Sequence, residues 1–173
     1  LLAAERNGEV VDGFDFGNSP FSYTEDKVSG KTIVLTTTNG THAINMSRGA
    51  HKIVIGSFLN LAALCDWLKT QPNDVLLSCS GWKDKVNLED TLFAGGVVHY
   101  LREENYALDD AGIASEDLYI MAKDDLNTYL KKTSHSERLK KLGIEEDIKF
   151  CLNLNITKGI PVLDGERLVK MII

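Results

Sequence analysis

The sequence predicts an α/β protein, with a mixed, largely parallel sheet covered by helices on both faces and a helical second half. Three observations predict it. Apolar and β-branched runs at 32–37, 52–56 and 74–79 have strand composition. Each is followed by a polar cluster and then a stretch with helical spacing, the alternation that builds parallel sheets buried on both faces. Beyond residue 115 the apolar residues recur at helical intervals until a closing hairpin.

The elements follow in order. Residues 7–31 hold Asn7-Gly8, Asp12-Gly13, Gly17-Asn18-Ser19-Pro20 and Ser29-Gly30, which read as loop with one short strand. Thr32–Thr37 is the first buried strand, with a helix over 41–48. Lys52–Gly56 is the second, with a helix over 61–69. Asp74–Cys79 is the third, with a long helix from 87 or 88 to about 104. Leu118, Met121, Ala122, Leu126, Tyr129 and Leu130 form one apolar stripe, so a helix is expected over 115–132 with Ser115 as N-cap. Ser134-His135-Ser136-Glu137 has capping-box spacing for a helix through Leu142. A short helix spans 145–154, and residues 160–169 form a hairpin turning at Asp164-Gly165.

Composition narrows the function classes. At 173 residues, 43% hydrophobic and 25% charged, the chain can bury one good core and is expected to form a single domain. The net charge is −6, and no basic cluster with interleaved aromatics occurs, so nucleic acid is not an expected partner. No apolar run has the length of a membrane span. Cys65, Cys79 and Cys151 are widely spaced and form no CxxC pair, which argues against a zinc knuckle or a disulfide framework. A reducing cytoplasm is the expected compartment. The chain opens at Leu1 without Met, and we expect it to be the C-terminal part of a longer natural protein.

Thr36–Thr41, Ser57-Phe58-Leu59-Asn60 and Ser78-Cys79-Ser80-Gly81 each fall at the carboxyl end of an expected strand. In a parallel sheet these loops share one edge, where open α/β sheets bind ligands. Their hydroxyls, amides and glycines suit phosphate or sulfonate oxygens. The competing reading is that each Ser, Thr or Asn is only a helix cap. Familiar signatures fail. Gly30-Lys31-Thr32 resembles the end of a P-loop, but Glu25 takes the first glycine's place and a strand follows. The cysteines lack an Arg six residues later, no Asp-x-Asp occurs, and there is no Arg-His-Gly. From the residues alone, an α/β domain with an anion-friendly edge is as far as function goes.

Longer strings go further. Glu5-Arg6-Asn7-Gly8, Gly13-Phe14-Asp15-Phe16-Gly17-Asn18-Ser19-Pro20 and Gly30 through Thr41 occur in order, followed by Ile55–Asn60, Leu88–Gly95 and Ser134-His135 through Arg138-Leu139. Together they resemble the 2-phosphosulfolactate phosphatase family, over nearly the whole chain, with Thr36-Thr37-Thr38-Asn39-Gly40-Thr41 the most specific string. The resemblance implies Mg²⁺-dependent hydrolysis of 2-phospho-3-sulfolactate, a small anionic phospho-substrate, in coenzyme M or sulfolactate metabolism. It implies catalytic roles for Glu5, Arg6 and Asp90, and Mg²⁺ ligands among Glu5, Asp15 and Asp90. It implies substrate contacts from Asn7, Asn18, Ser19, Thr38, Asn39, Gly40, Thr41, Ser57, Asn60 and His135; Gly81, in the third strand-end loop, is a further candidate contact, and Lys83 and Arg138 are candidate cations for sulfonate or carboxylate. The sequence departs from that family in lacking a first strand with its polar loop, and in carrying His42 where Arg is expected. A Mg²⁺ phosphatase for another small phospho-acid and a non-catalytic anion-binding domain are the alternatives, and a homodimer is left open.

Overall fold

The structure is a computed structural model that describes residues 1–6, 9–104 and 106–171, with the side chains of residues 134, 135, 138 and 141 outside the description. A short mixed sheet has the order β2-β1-β3. Strand β1 (Leu2–Arg6) runs antiparallel to β2 (Glu9–Val10) and parallel to β3 (Val34–Thr36). The parallel register pairs Ala4 with Thr36, so Glu5 and Thr37 leave the same end of the pair. Segment 14–18 lies along the same β1 strand, bridging Ala3 to Phe16 in parallel and donating from Ala4 N–H to Phe16 O at 3.0 Å.

The large parallel sheet expected from the sequence does not form among the described residues. Of the three expected strands only 34–36 joins a sheet with β1. The second run pairs elsewhere: Ile55 N–H donates to Pro161 O and Leu163 N–H to Ile53 O, both at 2.9 Å. These bonds tie it antiparallel to the hairpin of β4 (Pro161–Asp164) and β5 (Arg167–Lys170). The third run, 74–79, has no ladder. Val75 and Leu77 pack toward the core, whereas Leu76 is 88% exposed. Its apolar composition reports packing, which a strand needs but which does not by itself supply a partner.

The helices are α1 (Glu25–Val28), α2 (Gly40–Met46), α3 (Leu61–Leu68), α4 (Leu88–Tyr100), α5 (Asp110–Ala122), α6 (Leu126–Leu130), α7 (Ser134–Lys141) and α8 (Glu145–Cys151). The expected helix over 115–132 is two helices. Asp109 caps the first through Gly112 N–H at 2.7 Å, and Asp125 starts the second by accepting from Thr128 N–H at 2.9 Å. Ser115 is therefore an interior residue whose hydroxyl bonds Ala111 O. Thr133, not Ser134, caps α7 by accepting from Ser136 N–H at 3.1 Å.

The core lies among the helices. Leu61, Leu64, Cys65, Leu92, Val97, Tyr119, Ala122, Leu126, Leu130 and Ile160 are buried in one cluster. The α4–α5 crossing is close because Gly95 faces α5: a Cβ there would sit 1.9 Å from Ser115 O. At the far end of the crossing, buried Glu116 accepts from Arg102 Nε at 3.0 Å and lies 3.3 Å from His99 Nδ1. A carboxylate this deep is tolerated because a guanidinium and an imidazole nitrogen meet it. Among the described residues no helix is long and apolar enough to cross a membrane.

Candidate active site

The parallel β1–β3 register places the ends of both strands on one edge, and two polar clusters gather there. Glu5, near the end of β1, accepts from Asn18 Nδ2 at 3.2 Å. The next residue, Ser19, donates from Oγ to Asp147 Oδ1 at 3.1 Å, which ties this loop to α8. Arg6 is exposed, and its guanidinium makes no ion pair among the described residues. Cys151 sits close to Asp147. Burial raises its thiol pKa first, and the carboxylates of Asp147 and Glu89 raise it further.

The second cluster is built by the loop after β3. Thr37 N–H donates to Thr41 Oγ1 at 3.0 Å and Thr41 N–H to Thr37 Oγ1 at 3.2 Å. This reciprocal pair closes the Thr-Thr-Asn-Gly-Thr loop on itself and leaves Thr38 exposed. Asn39 Oδ1 accepts the Lys83 N–H at 3.4 Å. Lys83 belongs to a two-residue hairpin in which Trp82 N–H bonds Lys85 O at 3.0 Å and Lys85 N–H bonds Trp82 O at 3.1 Å. Lys83 and Asp84 both have left-handed backbones, with φ of 51° and 58°. Asp90, in the first turn of α4, holds the base of this hairpin. Its Oδ2 accepts from Gly81 N–H at 2.7 Å and from Ser80 Oγ at 3.3 Å.

The structure thus brings together Glu5 with Asn18 and Ser19, and Asn39 with Lys83, Gly81 and Asp90. Three expected residues go elsewhere. Asp15 accepts from Leu2 N–H at 2.8 Å, at the opposite end of β1 from Glu5. Three residue steps along the strand separate Leu2 from Glu5, roughly 10 Å. Asn60 is 3% exposed; its Oδ1 accepts from Ser57 N–H at 2.9 Å, and its Nδ2 donates to Ile55 O and Gly159 O at 3.2 and 3.0 Å. Ser57 and Asn60 form a capping box, which is the helix-cap reading of that loop, and the loop is stitched to residues 155–159. Asn7 lies outside the described residues. His135 and Arg138 fall on α7, and their side chains lie outside the description. Sequence reasoning missed Asp147, whose acidic neighbours Glu145 and Glu146 announced only a helix start.

The proposed Mg²⁺ ligands do not form one centre. Asp15 is bonded to backbone at the wrong end of β1, and Asp90 spends one oxygen on the Gly81 loop. Among the described residues no three His, Cys, Asp or Glu side chains are grouped to hold a metal. Glu5, Asp15 and Asp90 therefore do not fit a shared metal site.

The fold and this edge define a mixed α/β protein whose polar loops present hydroxyl, amide, guanidinium and carboxylate groups at the carboxyl ends of β1 and β3. The 2-phosphosulpholactate phosphatase family model matches residues 1–166, and the chain belongs to that family. Its relatives include proteins named "Probable 2-phosphosulfolactate phosphatase". One from Thermotoga petrophila is 42% identical over 94% of this chain and 70% of its own length. Another, from Caldanaerobacter subterraneus subsp. tengcongensis, is 38% identical over 94% of this chain and 68% of its own. A third, from Synechocystis sp., is 38% identical over 93% of this chain and 68% of its own.

Proposed function

We propose that this protein hydrolyses 2-phospho-3-sulfolactate to 3-sulfolactate and phosphate. The observation that carries the reading is family membership across residues 1–166. The site geometry is compatible with it. Arg6 offers a planar, bidentate donor suited to phosphate or sulfonate oxygens, at the same edge as the Asn39 loop. Glu5, fixed by Asn18, is a carboxylate within that edge. The reaction class is hydrolysis of a phosphoric monoester, and we place it in coenzyme M or sulfolactate metabolism. Three unpaired cysteines, Cys65, Cys79 and Cys151, suit a reducing cytoplasm.

Mg²⁺ dependence is part of the proposal and rests on the family alone. Mg²⁺ commonly keeps several waters and takes one or two carboxylates with substrate phosphate oxygens. Glu5 lies on the ligand edge, where it accepts from Asn18 Nδ2 at 3.2 Å, and is the acid we assign to the metal. We assign no chemical step to the metal.

The test is phosphate release from 2-phosphosulfolactate, phospholactate and phenyl phosphate, with Mg²⁺, with Mn²⁺ and in excess chelator. Release from 2-phosphosulfolactate that is lost in chelator supports the full reading. Release that survives chelation retains the phosphatase and removes the metal. Preference for phospholactate would assign a different phospho-acid. Binding without release would identify a non-catalytic anion-binding domain. Light scattering of the same sample would test a homodimer.

A further inference from the structure

Asp90 lies on the ligand edge, yet its contacts are those of a tether. Oδ2 accepts from Gly81 N–H at 2.7 Å and from Ser80 Oγ at 3.3 Å, so the carboxylate grips the base of the Trp82–Lys85 hairpin. The hairpin needs a grip. Its two central residues, Lys83 and Asp84, sit at φ of 51° and 58°, a turn type that glycine and asparagine adopt far more readily than lysine. Such a turn persists only where its surroundings over-determine it. Gly81 is itself left-handed at φ 66°, and a Cβ there would lie 2.7 Å from Lys85 O, so the base has no slack.

The far side of the hairpin reaches Asn39. Lys83 N–H can only be accepted by an oxygen, so the 3.4 Å contact assigns the Asn39 amide its orientation: Oδ1 toward the hairpin, Nδ2 away from it. Nδ2 has no hydrogen-bond partner among the described residues. The Lys83 ammonium does not fill that role for the substrate, because it rests over the Trp82 ring at 4.7 Å from the centroid.

We propose that Asp90 is a positioning residue: through Gly81 and the strained Trp82–Lys85 turn it fixes the Asn39 amide so that Nδ2 donates to a substrate oxygen. This rests on the phosphatase reading above and deepens it, assigning Asn39 the contact with substrate and Asp90 a role through other residues. It also replaces a metal-ligand role for Asp90, and the two roles respond differently to one substitution. Asparagine keeps an oxygen that can accept from Gly81 N–H but removes the negative charge that a hard cation requires.

The experiment compares D90A, D90N, N39A and the double variant D90A/D84G with wild type, using 2-phosphosulfolactate and a Mg²⁺ titration. N39A should lower kcat on the order of a hundredfold, the usual loss when one positioned transition-state donor is removed. D90A should approach the same loss, since a misplacement of about 1 Å can cost a hundredfold. D90N should recover most of what D90A loses, with an unchanged Mg²⁺ midpoint. Glycine at 84 lets the turn hold its shape without the tether, so D84G should partly rescue D90A. Amide hydrogen exchange supplies an arm independent of activity: Lys83 N–H should exchange faster in D90A than in wild type and D90N. A D90N enzyme as impaired as D90A, or one needing much more Mg²⁺, would overturn the proposal in favour of a ligand role. Unchanged Lys83 exchange in D90A would overturn the tether itself. A wild type that releases no phosphate refutes the phosphatase reading, and the exchange arm still judges the tether.

Discussion

Replacing Gly95 with alanine tests whether the α4–α5 crossing sets the position of the ligand edge. The added Cβ would lie 1.9 Å from Ser115 O, 2.5 Å from Ser115 C and 2.9 Å from Tyr119 Cβ. Two of those obstacles are backbone atoms of α5 and cannot rotate away. Ordinary contact begins near 3.4 Å, so the helices must part by more than an ångström. Overpacking of a close-packed core costs about 3 kcal/mol at the upper end of its usual range. Alanine returns about 1 kcal/mol of helix propensity. The net loss is about 2 kcal/mol, which for a chain of this length lowers Tm by roughly 4–8 °C. Gly49, which has nothing within 4 Å of an added Cβ, serves as the control and should be neutral as alanine. Differential scanning calorimetry of both variants reads the difference. Because α4 carries Asp90 in its first turn, the parted helices should also lower kcat in G95A. A G95A protein melting within 1 °C of wild type would refute the crossing.

The other predictions follow from the same contacts. Asn60→Ala leaves Ser57 N–H, Ile55 O and Gly159 O without their partner and should cost about 3 kcal/mol; a raised KM at unchanged Tm would instead place Asn60 in the substrate site. Glu5→Gln should shift the Mg²⁺ midpoint upward, and Arg6→Lys should lower turnover on the order of a hundredfold with Tm unchanged; near-normal turnover in both folded variants would move the site away from β1. Burial pushes the Cys65 thiol from 9.0 up to about 12. Above pH 9 the unfolded chain loses this proton while the folded chain keeps it, so stability is full below pH 9 and falls by about 1.4 kcal/mol per pH unit toward 12. Urea unfolding at pH 8 to 11 should show that slope, and Cys65→Ala should flatten it.

Much of the fold was legible because local chemistry decided it. The hairpin formed where expected but turns one residue later, at Gly165-Glu166: Asp164 stays in β4, paired with Arg167, and Gly165 takes the positive φ of 57°. Helices α3 and α4 followed their apolar spacing. The sheet was not legible, because strand composition at 52–56 and 74–79 does not say which segment pairs with which. Ile53 and Ile55 took the hairpin more than a hundred residues later as their neighbour, and Leu77 took the core without a ladder. The site divides the same way. Glu5, Asn39 and Gly81 were found on one edge because a strand end and two turn motifs mark it. Asp15 was misplaced because a carboxylate that caps a backbone N–H looks, in sequence, like one that waits for a metal. The left-handed turn at Lys83-Asp84 carried no signal at all, since neither residue favours that backbone.

The outer strand of the sheet has a practical consequence. β3 pairs with β1 on one side only among the described residues, and Val34 and Leu35 on it are 60% and 50% exposed. Such an edge, apolar and open, is a template for pairing with another molecule. Self-association through it would be second order in protein, so dilute enzyme assays and concentrated spectroscopic samples would contain different species. Handling conditions, above all concentration and ionic strength, therefore belong among the variables of any experiment on this protein, and a lysine placed at Val34 is the substitution that should keep it dispersed.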